Sequence, residues 1–145
     1  GTLDAIGYLT TDKNSKIIKK KSFSFLQLGD EKQRVPCETH FEKIFANDKI
    51  SKLYAFPKTG RIHQIRATLF SLGFPVVGDK IYGKDETAFL DFIDSGNTSK
   101  ILEKTGGERQ FLHSHKIQFI HPFTKNLIEI ESGEPDDIKI SWNDF

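Results

Sequence analysis

The side chains with the most chemical potential crowd into one stretch, Lys58 to Arg66. If that stretch is helical, Arg66 lies about 40° around from Ile62 and has Ile62, Leu69 and Phe70 one turn to either side. A guanidinium among such neighbours cannot shed its proton, so it must snorkel to water or grip a carboxylate or phosphate with its two-pronged edge. Losing one partner of a buried pair typically costs about 3–5 kcal/mol, so Arg66 requires an anion or a half-exposed position. The plainer alternative is a structural ion pair, for which Asp79 is a suitable acid. His63 sits roughly 60° from Arg66 on the same helix, with Arg61 across the stripe, so the three do not form one cluster. Lys58, Arg61 and the free N–H groups of a helix start could instead receive a phosphate. His63 reads equally well as a partly buried histidine satisfied by a backbone carbonyl.

A second group, His113, His115 and His121, raises metal chemistry. Residues two apart on a strand share a face, so His113 and His115 could both ligate, but His121 falls at the following turn and no acidic fourth ligand is near. Ordinary strand and turn histidines account for them, and no metal or other cofactor is expected.

Positioning these groups requires elements with legible boundaries. Leu3–Leu9 reads as a short strand ended by the turn residues Asp12 to Ser15. The lysine run Lys16, Lys19, Lys20 and Lys21 reads as a solvated edge strand or loop, with phosphate contact as its other use. Cys37–Ala46 and Lys52–Phe56 form an antiparallel hairpin turned by Asn47-Asp48. A helix follows from Thr59 to Leu72, with Ile62, Ile65, Leu69 and Leu72 as its apolar stripe, Gly73 as its cap and Pro75 as its stop. Asp85–Ile93 reads as a second helix with Phe89, Leu90 and Ile93 as its apolar members, and Asp94–Arg109 as a polar surface loop. Phe111–Ile120 and Leu127–Glu131 make a second hairpin around His121-Pro122. Antiparallel strands with segregated helices define an α+β domain.

Composition sets the outer bounds. A chain of 145 residues with 37% hydrophobic residues, 13 of them Phe, has the material for one core. The formal net charge of +1 neither demands nor excludes a nucleic-acid partner. One cysteine, Cys37, leaves no intramolecular disulfide and fits a reducing, cytoplasmic setting. No apolar run is long enough for a membrane helix, and the first ten residues lack the blocks of a signal peptide, so no membrane partner is expected. Met is absent even from position 1, which suggests a piece of a longer chain.

The strings Thr59-Gly60-Arg61-Ile62-His63-Gln64-Ile65-Arg66, Leu72-Gly73-Phe74-Pro75-Val76-Val77-Gly78-Asp79 and Ile81-Tyr82-Gly83 closely resemble the third signature region of RluA-type RNA pseudouridine synthases. Leu112-His113, Phe119 to Thr124 and Glu129 to Glu131 are similar to that family's ending, and Glu38 to Glu42 to the strand before the signature, so the resemblance covers most of residues 35 to 135. It implies part of a catalytic domain with a mixed, mainly antiparallel sheet and flanking helices around an RNA-binding cleft. It also implies that the target uridine is flipped out and that an aspartate drives release of uracil and its return through carbon. On this resemblance Arg66 pairs with the catalytic aspartate, while Lys58, Arg61, His63 and Gln64 approach the RNA, whether ribosomal or transfer.

That aspartate belongs to a His-Arg-Leu-Asp segment followed by Thr-Ser-Gly, and no such string occurs here. The expectation is therefore a C-terminal part of one catalytic domain, inactive alone and prone to self-association through exposed edges. The competing reading is a non-catalytic RNA-binding module built on Lys58, Arg61 and the lysine run, which would show salt-dependent binding without conversion.

Overall fold

Why strands come first is visible in β1, Thr2–Thr11, where Ala5, Gly7 and Leu9 are buried in alternation with more exposed residues. The computed structural model describes residues 1–17, 19–25, 34–83, 85–96 and 98–139. It contains two compact units, Gly1–Gln110 and Phe111–Phe145, each treated separately below. All strand pairings among the described residues are antiparallel, and the mixture of sheets and helices is α+β.

In the first unit β2 (Lys21–Ser24), β3 (Val35–Ala46) and β4 (Ser51–Pro57) join β1 in the order β2-β1-β3-β4. Ala5 faces Thr39 and Gly7 faces Cys37 across β1 and β3, so one sheet face gathers Ala5, Leu9, Cys37, Thr39 and Phe41. Cys37 is part of this core, and burial pushes its thiol up from its ordinary value, with Arg61 opposing. The β3–β4 hairpin turns where Asn47 Oδ1 accepts from the N–H groups of Lys49 and Ile50, at 2.9 and 2.8 Å.

Helix α1 occupies Gln64–Ser71, not Thr59–Leu72. Ile62, the supposed first member of the apolar stripe, is 68% exposed and lies before the helix. The C-terminal reading is correct: Gly73 N–H donates to Phe70 O and Phe74 N–H to Leu69 O, the paired bonds of a left-handed cap, with Gly73 at φ 88°. Ala67 and Thr68 face inward, and Ile65, Leu69 and Phe70 pack against the sheet's core cluster.

The lysine run is not uniformly solvated. Lys16 and Lys19 are exposed, but Lys20 is only 5% exposed, with Nζ 3.6 Å from Glu86 and 4.6 Å from the centre of the Phe70 ring. A carboxylate and an aromatic face together make burial of that ammonium tolerable. Ile18 lies outside the described residues.

Helix α2 spans Thr87–Ser95, begun by Asp85, whose carboxylate accepts from Thr87 N–H at 2.8 Å. Ala88 is its buried residue, whereas Ile93, one of its apolar members, is 62% exposed. The predicted loop 94–109 contains a third helix, α3, Thr98–Thr105. Lys104 tethers it, donating to Thr87 Oγ1 at 2.7 Å and bridging Asp85 and Asp91 at 3.0 and 2.5 Å. Thr87 and then Lys104 hold the Asp85 carboxyl down to about 2. No helix among the described residues is long and apolar enough to cross a membrane.

The second unit is built on β5 (Lys116–Ile120) paired with β6 (Leu127–Glu131). β5 is shorter than the predicted Phe111–Ile120 because its partner runs out: Lys116 faces Glu131, and only Ser132 N–H to His115 O, 2.7 Å, extends the ladder. The turn closes through His121 N–H to Asn126 O at 2.8 Å.

Candidate functional site

The loop entering α1 is fixed by one amide. Gln64 is buried, its Oε1 accepts from Thr59 Oγ1 at 2.8 Å and from Arg61 N–H at 3.0 Å, and its Nε2 donates to Glu38 O at 3.0 Å and Thr39 Oγ1 at 2.8 Å. Those four bonds use both lone pairs and both protons. Thr59 Oγ1 in turn accepts from Glu38 N–H at 2.9 Å. The sequence places Gln64 beside RNA, whereas the structure places it beneath the loop, where it ties residues 59–64 to β3.

The same strap sets out the exposed cations. Arg61 Nε donates to Pro36 O at 3.1 Å, and Lys58 Nζ lies 2.5 Å from Glu38. The Glu38 hydrogen bond keeps the Lys58 ammonium above its ordinary pKa. Both side chains therefore stand on the surface where the loop leaves β4, separate from the buried groups below.

His63 adopts φ 58°, a left-handed conformation uncommon outside glycine, at the residue before α1. Its Nδ1 is 3.1 Å from the hydroxyl of Tyr82, and the rings meet edge to face at 5.5 Å. Tyr82 is wholly buried, and its hydroxyl already accepts from Lys21 N–H at 2.8 Å. The Tyr82 hydroxyl therefore joins the Lys21 backbone to the His63 ring, and the donor in the His63–Tyr82 bond is set by the imidazole tautomer. Burial, and after it the Arg66 cation, hold His63 below the ordinary histidine range; Lys21 and Lys19 act the same way and Asp79 opposes.

Arg66 finds its anion in Asp79. Nε donates to Oδ2 at 2.7 Å and Nη2 to Oδ1 at 2.8 Å, and Oδ1 also accepts from the N–H groups of Ile81 and Tyr82 at 3.0 Å each. Burial raises the Asp79 pKa, but Arg66 and the two N–H groups more than reverse it, so the carboxyl stays below its ordinary value. The guanidinium also lies 5.1 Å from the centre of the Tyr82 ring. No hydrogen bond among the described residues uses Nη1.

The turn carrying Asp79 explains its glycine. Gly78 has φ 74°, and a Cβ there would meet Arg109 O at 1.8 Å. Tyr82, which the spacing of charged groups misses, joins His63, Arg66 and Lys21 in this cluster; its signal lies in the string Gly78-Asp79-x-x-Tyr82-Gly83, which sets an acid and a phenol on one turn.

Among the histidines of the second unit, His115 Nδ1 donates to Ser132 O at 2.7 Å and His121 Nδ1 accepts from Thr124 N–H at 3.1 Å. Among the described residues, no three His, Cys, Asp or Glu side chains are arranged to hold a metal ion.

No family model matches the chain. It is 38% identical over 103 residues to the uncharacterized RNA pseudouridine synthase YhcT of Bacillus subtilis strain 168, covering 70% of this chain and 28% of that protein. It is 38% identical over 102 residues to the ribosomal large subunit pseudouridine synthase D of Buchnera aphidicola from Schizaphis graminum, covering 70% and 31%. It is 39% identical over 104 residues to the ribosomal large subunit pseudouridine synthase C of Buchnera aphidicola from Acyrthosiphon pisum, covering 70% and 29%. The chain thus spans about three-tenths of the length of these relatives.

Proposed function

With 70% of its length aligned to RNA pseudouridine synthases, the chain belongs to the RluA-type family, and we propose that it forms part of an enzyme isomerising uridine to pseudouridine in ribosomal or transfer RNA. The reaction breaks the C1′–N1 bond, turns the uracil and joins C1′ to C5; N1 gains a proton and C5 loses one, so no oxidant or reductant enters. In this reading a carboxylate from the family's His-Arg-Leu-Asp segment, which is not among these residues, acts on the flipped nucleoside.

The observation that carries the reading is the clamp on Arg66. Asp79 takes Nε and Nη2 and fixes the guanidinium plane, which leaves Nη1 for a second anion. The catalytic aspartate is that anion. Lys58 and Arg61 meet the RNA backbone, the His63 imidazole meets the nucleotide, and Gln64 positions the loop that presents all three.

The decisive experiment compares the intact protein with Arg66→Ala and Arg66→Lys on total RNA, reading pseudouridine by nucleoside chromatography. Arg66→Ala is expected to abolish turnover with RNA binding largely retained. Because Arg66→Ala strands Asp79, Arg66→Lys and a melting curve separate lost chemistry from lost fold. Near-normal turnover of either variant would remove the assignment.

This chain alone is expected to bind RNA weakly and convert none, and to self-associate. Ile6, Tyr54 and Phe56 are 59%, 42% and 48% exposed on the sheet face away from α1, where they alternate with Asp4, Glu38, His40 and Glu42 in a mixed surface that a partner could cover. A strictly monomeric species in sedimentation velocity would count against self-association.

A further inference from the structure

Beside His63 the first unit has an open cavity of about 440 Å³, within the ~300–1,000 Å³ typical of small-ligand pockets. One side is apolar, made by Ile17, Ile81, Phe89 and Leu90, and the rim carries Lys16, Lys19 and His63. No carboxylate among the described residues lines it. Glu86 bonds Ser15 and pairs with Lys20, and it feels the Lys16 charge only at longer range; Lys16 and Lys19 are exposed and hold no ion pair among the described residues.

The cavity combines an apolar wall that includes an aromatic ring with two exposed ammonium groups and an imidazole. An inorganic anion would leave the wall unused, and an apolar ligand would leave the cations unused. A nucleotide uses both, since its base offers a π-face to Phe89 and its phosphate an anion to the lysines.

We propose that this cavity is a nucleotide subsite for the RNA, holding one unstacked base against Phe89 with the adjoining phosphate on Lys16 and Lys19 and the His63 imidazole as a further polar contact. The inference rests on the RNA reading above and adds residues to it. Lys20, the buried member of the run, positions the segment: its pairing with Glu86 and Phe70 holds Lys16 and Lys19 at the cavity mouth.

The test uses the intact protein and two fluorescently labelled probes, an RNA hairpin with a single-stranded loop and a blunt RNA duplex of equal length. The double variant Lys16→Ala/Lys19→Ala is expected to weaken hairpin binding about tenfold and to reduce the slope of log affinity against log salt by roughly 0.7 for each phosphate that is no longer neutralised. Phe89→Leu is expected to weaken hairpin binding about tenfold with the salt slope and duplex binding unchanged, and Phe89→Tyr to bind like the wild type. Hairpin binding unaltered in Phe89→Leu, or hairpin and duplex weakened alike, would overturn the subsite. If the wild type converts uridine and binds the hairpin while the variants match it, only the subsite fails; if the wild type binds neither RNA, the RNA reading fails with it.

Discussion

Asp79 is wholly buried and still charged because Arg66 reaches it with two donors and the backbone of Ile81 and Tyr82 supplies two more. The pair is the mechanical centre of the site, since the same turn carries Tyr82 to His63 and the same helix carries Arg66 to the surface that RNA is proposed to meet.

Removing the acid therefore tests structure and not only chemistry. Asp79→Ala leaves a guanidinium that is 13% exposed without its anion and is expected to cost about 3–5 kcal/mol in urea unfolding. Asp79→Asn, which keeps an acceptor for the N–H groups, should cost less. The folded pKa of Asp79 is depressed, so its contribution is present above the ordinary 3.8 and disappears as pH falls through the folded value. The wild-type midpoint should thus drop on acidification below about 3.8, more steeply than that of Asp79→Asn. An Asp79→Ala protein as stable as wild type would show that the pair holds nothing together.

Gln64 offers an isosteric test. Gln64→Glu keeps the acceptor for Thr59 and Arg61 but has no protons for Glu38 O or Thr39 Oγ1. Each buried acceptor so abandoned costs about 1–3 kcal/mol, and a carboxylate is placed where nothing neutralises it. The expected result is a lower melting temperature together with faster amide exchange at Arg61. Unchanged exchange there would mean the loop is held by something other than this amide.

How much of the molecule is legible in its residues depends on which force decides each element. Alternating patterns place the β3–β4 hairpin and the β5–β6 turn because their geometry is local. The start of α1 escapes the pattern because a long-range hydrogen bond overrides periodicity: Gln64 anchors to β3, so His63 turns left-handed and Ile62 is left outside. Helix α3 reads as a loop because its sequence is polar, and what docks it is Lys104 reaching three partners on or beside α2. Arg66 is legible as a cation in need of an anion, and Asp79 as one of two answers. Lys20 is hidden in a run of lysines that differ only in what lies beneath them.

Two glycines separate backbone strain from collision. Gly73 and Gly78 both have positive φ, at 88° and 74°, but a Cβ at Gly73 meets nothing within 4 Å while one at Gly78 meets Arg109 O at 1.8 Å. Gly73→Ala is expected to cost roughly 1–2 kcal/mol, the ordinary penalty of an L-residue in that conformation. Gly78→Ala must also displace the Arg109 backbone and should cost clearly more. Equal losses in urea unfolding would show that this backbone yields freely.

His40 provides a titration that needs no activity. Its Nδ1 lies 2.6 Å from Asp4 and its Nε2 3.4 Å from Glu42, with Phe56 at 5.9 Å between ring centres. The Asp4 hydrogen bond is the largest influence and, with Glu42 adding to it against a smaller burial effect, raises the imidazole above 6.5. A raised folded pKa means that the protonated pair supports the fold below about 6.5 and that this support is lost as pH rises through the higher folded value. Proton NMR of the ring should therefore give a midpoint above 6.5 in the wild type, and Asp4→Asn should move it down toward 6.5. A wild-type midpoint at or below 6.5, or one indifferent to Asp4→Asn, would mean that β1 and β3 are not joined by this charge pair in solution.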